Sequence, residues 1–445
     1  MLNEYLPWFG IAMLVCVSIV NLMSGLAIWE ALIAVSTVFA GLGVGFDLFG
    51  VNLLALLSHR LLGLLESDLF QAIPLYVFMG TILKKTDIAK DMLYVMQTLC
   101  EKLRMPKENA LLFFSLLVAP MNGSVASTAH LLNFKNDHPT HEDGIKSRFG
   151  LIASASTIGM IIPPSLVLLM MGDAMMRAHT EAMNLGLSNP AGTTILNTKD
   201  IFLASLFPGF LVFFAWVLIN GVLYRRNRHS HRNANATDSP HSWHRGAIAI
   251  AVIVSLFIGV FQGFILAVEA AATGCLLLCL YFFFSNSVQS KSSVWHEVVK
   301  EAFALSGSLL TILFAATAFS MVFRLFETDR LIHQWILSSS QSLLHLPLIF
   351  LSVGLCALMM DAFELILVII PIVSPGLILL MGDAKQVAIL LLLTLQISFL
   401  LPPFGYAILM ARNFSPSLTV KQQIKLVLPY IVAILAIFIL FLWLP

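Results

Sequence analysis

Apolar runs of roughly bilayer-crossing length, separated by short polar stretches, recur from the run Tyr5 to Leu22 through the run Ile424 to Trp443. A spanning helix needs about 20 mostly apolar residues, and the chain offers about ten such runs, which predicts an all-α polytopic membrane protein. Several runs are interrupted in the middle. Between Ala110 and Phe134 the break is Pro120-Met-Asn-Gly-Ser-Val-Ala-Ser-Thr-Ala, which leaves two arms too short to cross and predicts a re-entrant hairpin. A second hairpin is expected between Leu346 and Leu380, where Met360-Asp361-Ala-Phe-Glu364, Pro371 and Pro375 interrupt the run. Two further runs contain Pro-Pro, at Pro163-Pro164 and Pro402-Pro403, and a helix must break there because each proline withholds a backbone donor.

Irregular backbone at membrane depth is tolerated only where protein or a watery cavity satisfies it, so the interruptions mark the candidate site. At the first tip, Asn122, Ser124, Ser127 and Thr128 are expected to meet a substrate, with Gly123 and Ser124 also offering oxygens to a cation. A helix beginning at Ser124 would aim free N–H groups and its positive dipole end at the tip, which favours a carboxylate. A Gly/Ser packing notch between helices is the bland alternative. Carbonyls freed at the proline breaks, with nearby hydroxyls, would form an oxygen cage suited to a hard cation such as Na⁺. Its expected contributors are Thr157, Gly159 and Pro163 at the first break and Gln396, Ser398 and Pro402 at the second, with Ser156 alongside. Pro164, Ser165 and Phe404, just past the breaks, fall on the substrate side. A carboxylate inside an apolar run costs about 2.5–3.5 kcal/mol on insertion scales, which makes Asp361 the leading coupling-ion residue; an interfacial position at a helix end is its alternative.

The two Pro-Pro motifs lie 239 positions apart (402 less 163), and the same shift carries Met121-Asn122 onto Met360-Asp361 and Trp29-Glu30-Ala31 onto Val268-Glu269-Ala270. Basic residues cluster at Lys84, Lys85, Lys90, Lys102, Arg104 and Lys107, and again at Arg225, Arg226, Arg228, Arg232 and Arg245, which assigns those ends to the cytoplasm. Parity then puts both termini outside and makes the halves inverted copies, a recurring plan of secondary transporters. The expected organisation is a first repeat over residues 1–226, a polar cytoplasmic linker over 227–245 and a second repeat over 246–445. Glu30 and Glu269 either cap their helices locally or serve the site.

Composition agrees, with 59% apolar and 11% charged residues against roughly 25% charged in soluble domains. A net charge of +1 gives no reason to expect nucleic acid. The acidic start, Met1-Leu-Asn-Glu-Tyr, argues against a cleaved secretory signal. The five cysteines show no CxxC and no zinc-like spacing. An intramembrane enzyme is a remote alternative: HExxH, GxSG, GxGD and a P-loop motif are absent, and His296-Glu297-Val-Val-Lys300 lacks the second metal ligand. The cluster His138-Pro-Thr-His141-Glu142-Asp143 reads as a solvated turn rather than a metal site.

The motifs Ala72-Ile-Pro-Leu-Tyr-Val-Phe-Met-Gly80, Asn122-Gly-Ser-Val-Ala-Ser-Thr-Ala129, the run Gly150 to Ser165, Ala267-Val-Glu-Ala-Ala-Ala272, Met360-Asp361 and the run Leu395 to Gly405 together resemble the large membrane subunit of tripartite ATP-independent periplasmic (TRAP) transporters, within the ion-transporter superfamily. The resemblance implies a sodium-driven elevator importer and not an enzyme, with two or more Na⁺ as coupling ions. It also implies residence in the bacterial inner membrane, a periplasmic solute-binding protein that delivers an organic acid, and a small four-helix membrane subunit, expected as a separate chain. A stand-alone ion-coupled carboxylate carrier of the same superfamily is the alternative. Two stretches depart from the family pattern: Ala129-His130-Leu-Leu-Asn-Phe leading into the charged segment Lys135 to Asp143, and Met105-Pro-Lys-Glu-Asn109 in place of Gly-Gly.

Overall fold

A computed structural model describes residues 2–122, 124–133, 142–184, 195–226, 243–284, 291–338, 345–358, 360–415 and 418–443, and every regular element among them is helical. The first half contributes α1 (Leu2–Ser24), α2 (Ile28–Gly45), α3 (Val51–Leu54), α4 (Leu56–Leu65), α5 (Asp68–Lys85), α6 (Ile88–Lys102), α7 (Asn109–Asn122), α8 (Val125–Leu132), α9 (Glu142–Thr157), α10 (Leu166–Asn184) and α11 (Thr198–Arg226). The second contributes α12 (Trp243–Gln262), α13 (Ala267–Phe284), α14 (Lys291–Leu325), α15 (Thr328–Ser338), α16 (His345–Cys356), α17 (Ala362–Val368), α18 (Ile370–Met381), α19 (Ala384–Phe399), α20 (Tyr406–Arg412) and α21 (Val420–Trp443). Most of the expected linker, and the residues His138 to His141 of the charged turn, lie outside the described residues.

By length and composition, six described helices can cross a membrane unbroken: α2 and α11 to α14, with α21. Two bent pairs add candidates, Val51–Leu65 with Asp68–Lys85 at 53° and Ala362–Val368 with Ile370–Met381 at 63°. The remaining apolar runs are the short arms that the sequence breaks create. Exposed Phe207, Phe214, Leu218 and Val222 along α11, and Phe284 and Trp443 at the ends of α13 and α21, form the apolar exterior of a multi-pass membrane protein.

The two halves keep one register. Helices α2 and α13 begin 239 positions apart (267 less 28) and each is 18 residues long. Helices α6 and α15 begin 240 apart (328 less 88), as do α10 and α20 (406 less 166). Packing between halves is reciprocal: α2 lies on α14 while α13 lies on α5, α10 on α17 while α20 lies on α8, and α11 on α19 while α21 lies on α9. The equivalent segments α3–α5 and α14 also run against each other. Lys84 and Lys85, at the C-terminal end of α5, reach Glu301 at 2.5 Å and Glu297 at 3.1 Å in the N-terminal third of α14. One half departs from the other at Ser67, which is extended and whose hydroxyl caps α5 by accepting the Phe70 N–H, so the first-half segment bends where α14 continues unbroken for 35 residues.

Glu30 accepts the Ala27 N–H at 3.2 Å and Glu269 accepts the Leu266 N–H at 2.8 Å. Both therefore close the first turn of equivalent helices, which is the capping alternative of the two offered by the sequence.

The helices fall into two groups by packing. Helices α1, α2, α4, α5 and α12 to α14 form one; α7 to α11 and α16 to α21 form the other, where buried Trp216 donates to the Tyr430 carbonyl at 3.3 Å and Asn220 donates to Asn109 at 2.5 Å. Helix α6 packs on α12 and on α7, and its equivalent α15 packs on α1 and on α18, so these two bridge the groups, which also meet directly where α5 lies on α7 and α14 on α17. Close approach of α6 to α12 requires Gly246, where a Cβ would sit 2.2 Å from the Asp91 carbonyl oxygen. Gly246→Ala is expected to lower stability by about 1–3 kcal/mol, the usual cost of overpacking, whereas Gly307→Ala on α14, with nothing within 4 Å, should be neutral or slightly stabilising. Thermal unfolding of the two variants in detergent checks the contrast.

Candidate functional site

The first interrupted run forms the helix pair α7 and α8, turning at Ser124. Ser124 is extended (φ −129°, ψ 129°), and its hydroxyl accepts the Ser127 N–H at 3.5 Å, a long capping contact. The Thr128 hydroxyl donates to the Ser124 carbonyl at 3.0 Å and the residue is buried, while Ser124 and Ser127 are half-buried. Asn122 ends α7; its side chain, like all of Gly123, lies outside the described residues. The N-terminus of α8 thus opens at the tip, as the Ser-Val-Ala-Ser-Thr pattern predicts.

The second interrupted run gives α16, then Asp361 as the N-cap of α17. Its carboxylate accepts the Ala362 N–H at 2.7 Å, and the Glu364 carboxylate accepts the Asp361 N–H at 3.0 Å, a reciprocal capping box. Tyr406, at the start of α20, lies within electrostatic reach of both carboxylates and stacks obliquely on Phe399 at 5.7 Å. Asp361 therefore has a structural task at the tip in addition to whatever its charge does there. Tyr406 was not singled out by sequence reasoning; its signal was position alone, directly after Pro402-Pro403-Phe404-Gly405.

Each broken helix runs in toward the pair of its own half. Helix α9 tightens into a 3-10 turn, Ile158–Met160, before the cis Pro163-Pro164 peptide, and α10 restarts at Leu166 with the Ser165 hydroxyl accepting the Leu168 N–H at 3.1 Å. Prolines at 163 and 164 withhold the donors that the Gly159 and Met160 carbonyls would otherwise receive. Helix α19 ends at Phe399, the cis Pro402-Pro403 peptide follows, and α20 begins at Tyr406. The environments differ: Pro163, Pro164 and Ser165 are buried, whereas Pro402 and Pro403 are half-buried and Phe404 is 65% exposed.

Contact between the halves is made at Thr157 and Gln396, which are themselves 239 positions apart (396 less 157). Gln396 Nε2 approaches the Thr157 carbonyl at 3.5 Å and its hydroxyl at 3.4 Å, and both residues are fully buried. The Gln396 Oε1 atom and the nearby Ser154 hydroxyl are buried without a hydrogen-bond partner. Buried polar atoms are nearly always satisfied, so an orphaned amide oxygen and hydroxyl, on the helices that end at the two proline breaks, fit the donor set of a hard cation. Ser154 was missed because it sits unremarkably within Ala153-Ser-Ala-Ser-Thr157.

Within each half, the first arm of the helix pair packs on the broken helix across a seam of small residues. In the first half Gly159 faces Ala119, where a Cβ would lie 2.5 Å from the Ala119 carbonyl carbon, and buried Ser115 donates to the Ala155 carbonyl. In the second half the residues at the same register are exchanged. Gly354 (115 plus 239) stands where the first half has Ser115, and Ser398 (159 plus 239) stands where it has Gly159; a Cβ on Gly354 would lie 2.9 Å from the Ser398 hydroxyl. Ser398 itself donates to the Thr394 carbonyl at 2.9 Å.

Thus the structure brings Thr157, Gln396 and Gly159 together with the first helix pair, and Ser398 and Asp361 with the second. Phe404 stands apart at the surface. The seam yields a coupled prediction: Gly354→Ala should cost about 1–3 kcal/mol and be largely rescued by Ser398→Gly, because the clash is with a side chain. Gly159→Ala clashes with backbone and should resist rescue by any side-chain truncation. A double-mutant cycle by thermal unfolding reads both.

Comparison with known proteins gives one family and a consistent set of relatives. A family model described as "Tripartite ATP-independent periplasmic transporter, DctM component" matches residues 11–445. The sialic acid TRAP transporter large permease protein SiaM of Vibrio cholerae is 23% identical over 83% of this chain and 85% of its own length. The C4-dicarboxylate TRAP transporter large permease protein DctM of Rhodobacter capsulatus is 22% identical over 86% of each. The isethionate TRAP transporter permease protein DctMQ of Oleidesulfovibrio alaskensis is 22% identical over 86% of this chain, which spans 58% of that longer protein. Among solved structures, the YdaH transporter of Alcanivorax borkumensis shares the fold, with a TM-score of 0.56, 17% identity and coverage of 86% of this chain and 88% of that one.

Proposed function

The chain belongs to the tripartite ATP-independent periplasmic transporter family, as its DctM component, and from that premise we propose that it is the permease through which Na⁺ drives inward movement of an organic acid anion. The family match over residues 11–445 carries this reading. Curated relatives named for sialic acid, C4-dicarboxylate and isethionate support an acid as substrate.

The geometry supports a division of labour. The N-terminus of α8 at Ser124, with Ser127 and Thr128 in its first turn, turns the positive end of the helix dipole toward a carboxylate. The N-terminus of α10 at Pro164 and Ser165 is the corresponding feature at the first break, and Phe404 would meet substrate from the second. Na⁺ is read into the oxygen-rich ground around Gly123, Ser124, Thr157, Gly159 and Pro163, with Gln396 Oε1 and the Ser154 hydroxyl as its orphaned donors. A second cation belongs near Asp361, Ser398 and Pro402. Asp361 is half-buried within an apolar run, a placement whose cost a bound cation or a hydrating cavity would offset.

Repeated register, reciprocal packing and the opposed course of α5 and α14 support two inverted lobes, 1–226 and 246–445, joined by a cytoplasmic linker over 227–245. The two packing groups support an elevator in which α7 to α11 and α16 to α21 move as a unit against the rest, with α6 and α15 as the connecting arms. Both termini then lie outside, in the periplasm of a bacterial inner membrane. A periplasmic solute-binding protein and a small four-helix membrane subunit, as separate chains, complete the transporter.

Uptake of candidate organic acids into vesicles holding all three components should require an inward Na⁺ gradient. Asp361→Asn keeps an oxygen to accept the Ala362 N–H, so its thermal stability should stay within a few tenths of a kcal/mol of the parent. Its Na⁺-driven uptake should nonetheless be lost. Asp361→Ala should lose uptake and also about 0.5–2 kcal/mol of stability with the cap. Ser124→Ala should abolish uptake while the chain still inserts. Normal uptake by both Asp361→Asn and Ser124→Ala would sink this site assignment.

A further inference from the structure

Ion pairs between helix ends occur in both halves at equivalent places, and they do not join equivalent things. Lys84, near the C-terminal end of α5, pairs with Glu301 of α14, so both partners belong to the same packing group. Its equivalent 240 positions later (324 less 84) is Arg324, near the C-terminal end of α14. The positions that would mirror Glu301 and Glu297 are Leu61 and Leu57, and beside them stands Arg60, a like charge within electrostatic reach of Arg324. Arg324 instead reaches across to Glu181 on α10, at 2.6 Å.

This contact spans the two groups. Arg324 is on α14 and Glu181 is on the last turn of α10, which packs with α17, α18 and α19. Its side chains are 31% and 16% exposed, so solvent screens the pair only in part. Arg60 adds a second positive charge facing Glu181, and Asp329 on α15 adds a negative one. Among the described residues the pair has no mirror at the opposite end. The positions 239 and 240 residues beyond Glu181 are Val420 and Lys421, neither of them a carboxylate.

We propose that Arg324–Glu181 is a one-sided ionic latch, which holds the α10-bearing group against α14 in the arrangement described here and opens once in every transport cycle. It rests on the elevator reading. A contact present in only one of two states biases the equilibrium by its differential free energy, and a partly screened ion pair of this kind changes a population ratio roughly fivefold. By the orientation expected from the basic residues, the latch lies at the outer end, opposite the Lys84–Glu301 pairs.

The test uses the full chain in lipid nanodiscs, with the five native cysteines replaced. Spin labels at Thr180→Cys on α10 and Leu305→Cys on α14 report the distance distribution between the groups. Glu181→Gln and Arg324→Gln should each lower the share of the described arrangement roughly fivefold. The exchanged pair Glu181→Arg with Arg324→Glu should restore it, which also guards against a misfolded single variant. Separately, an oxidised Glu181→Cys/Arg324→Cys cross-link should block uptake in vesicles until reduced. If the cross-link blocks uptake but the neutral variants leave the distance distribution unchanged, the latch is wrong and the elevator stands. If uptake continues undiminished through the cross-link, the groups do not move apart at this contact and both ideas fall.

Discussion

Everything in this protein turns on the cost of leaving a backbone amide or carbonyl without a partner in lipid. Each such group costs several kcal/mol, so a chain this apolar folds into helices wherever it can and breaks them only where something else satisfies the exposed groups. The breaks within apolar runs at Ser124, Asp361, Pro163-Pro164 and Pro402-Pro403 are therefore concentrated deviations from the cheapest structure. Capping by Ser124, Ser165 and Asp361, with the Glu364 carboxylate on the Asp361 N–H, covers part of that cost. What remains uncovered, such as Gln396 Oε1 and the Ser154 hydroxyl, is where the proposed cation would find its oxygens.

The shared register of the two halves makes this arrangement workable. Because the halves pack reciprocally, each supplies the partner for the other's break: α10 meets α17 while α20 meets α8, and Thr157 meets Gln396 at the shared register. Interfaces built in this way need no separate framework to align two sites, since the relation between copies does it. The asymmetries then stand out as places where one copy has been altered, as with the Ser67 bend in α3–α5 and the Arg324–Glu181 pair.

Much of the architecture was legible in the residues because prolines, carboxylates and Gly-Ser runs inside apolar stretches have few innocent explanations. Both helix pairs, both proline breaks and the 239-residue shift follow from such signals. Less legible was the division of tasks at a given carboxylate. Glu30 and Glu269 turned out to be caps, and only the backbone N–H three residues earlier reveals that. Asp361 combines a cap with a half-buried carboxylate inside an apolar run, a combination that residue type alone does not separate. Long-range pairs such as Arg324 with Glu181, 143 residues apart (324 less 181), are invisible to any pattern along the chain.

The seam between helix pair and broken helix shows why sequence identity is a poor guide to the repeat, even where the register is kept. Each seam must bring two helices close enough for backbone contact, which demands small residues, and must also leave a hydroxyl to bond a carbonyl in a medium without water. The first half places the serine on the arm, at Ser115, and the glycine on the broken helix, at Gly159; the second half places the glycine on the arm, at Gly354, and the serine on the broken helix, at Ser398. What is held constant is the sum of the two, one hydroxyl and one missing side chain per seam. A comparison of the halves residue by residue scores both positions as mismatches, although each seam keeps one hydroxyl and one glycine; the bonds differ, since Ser115 donates across the seam to the Ala155 carbonyl whereas Ser398 donates within its own helix to the Thr394 carbonyl. Close approach therefore fixes the number of small residues at a seam more tightly than the helix that carries each of them.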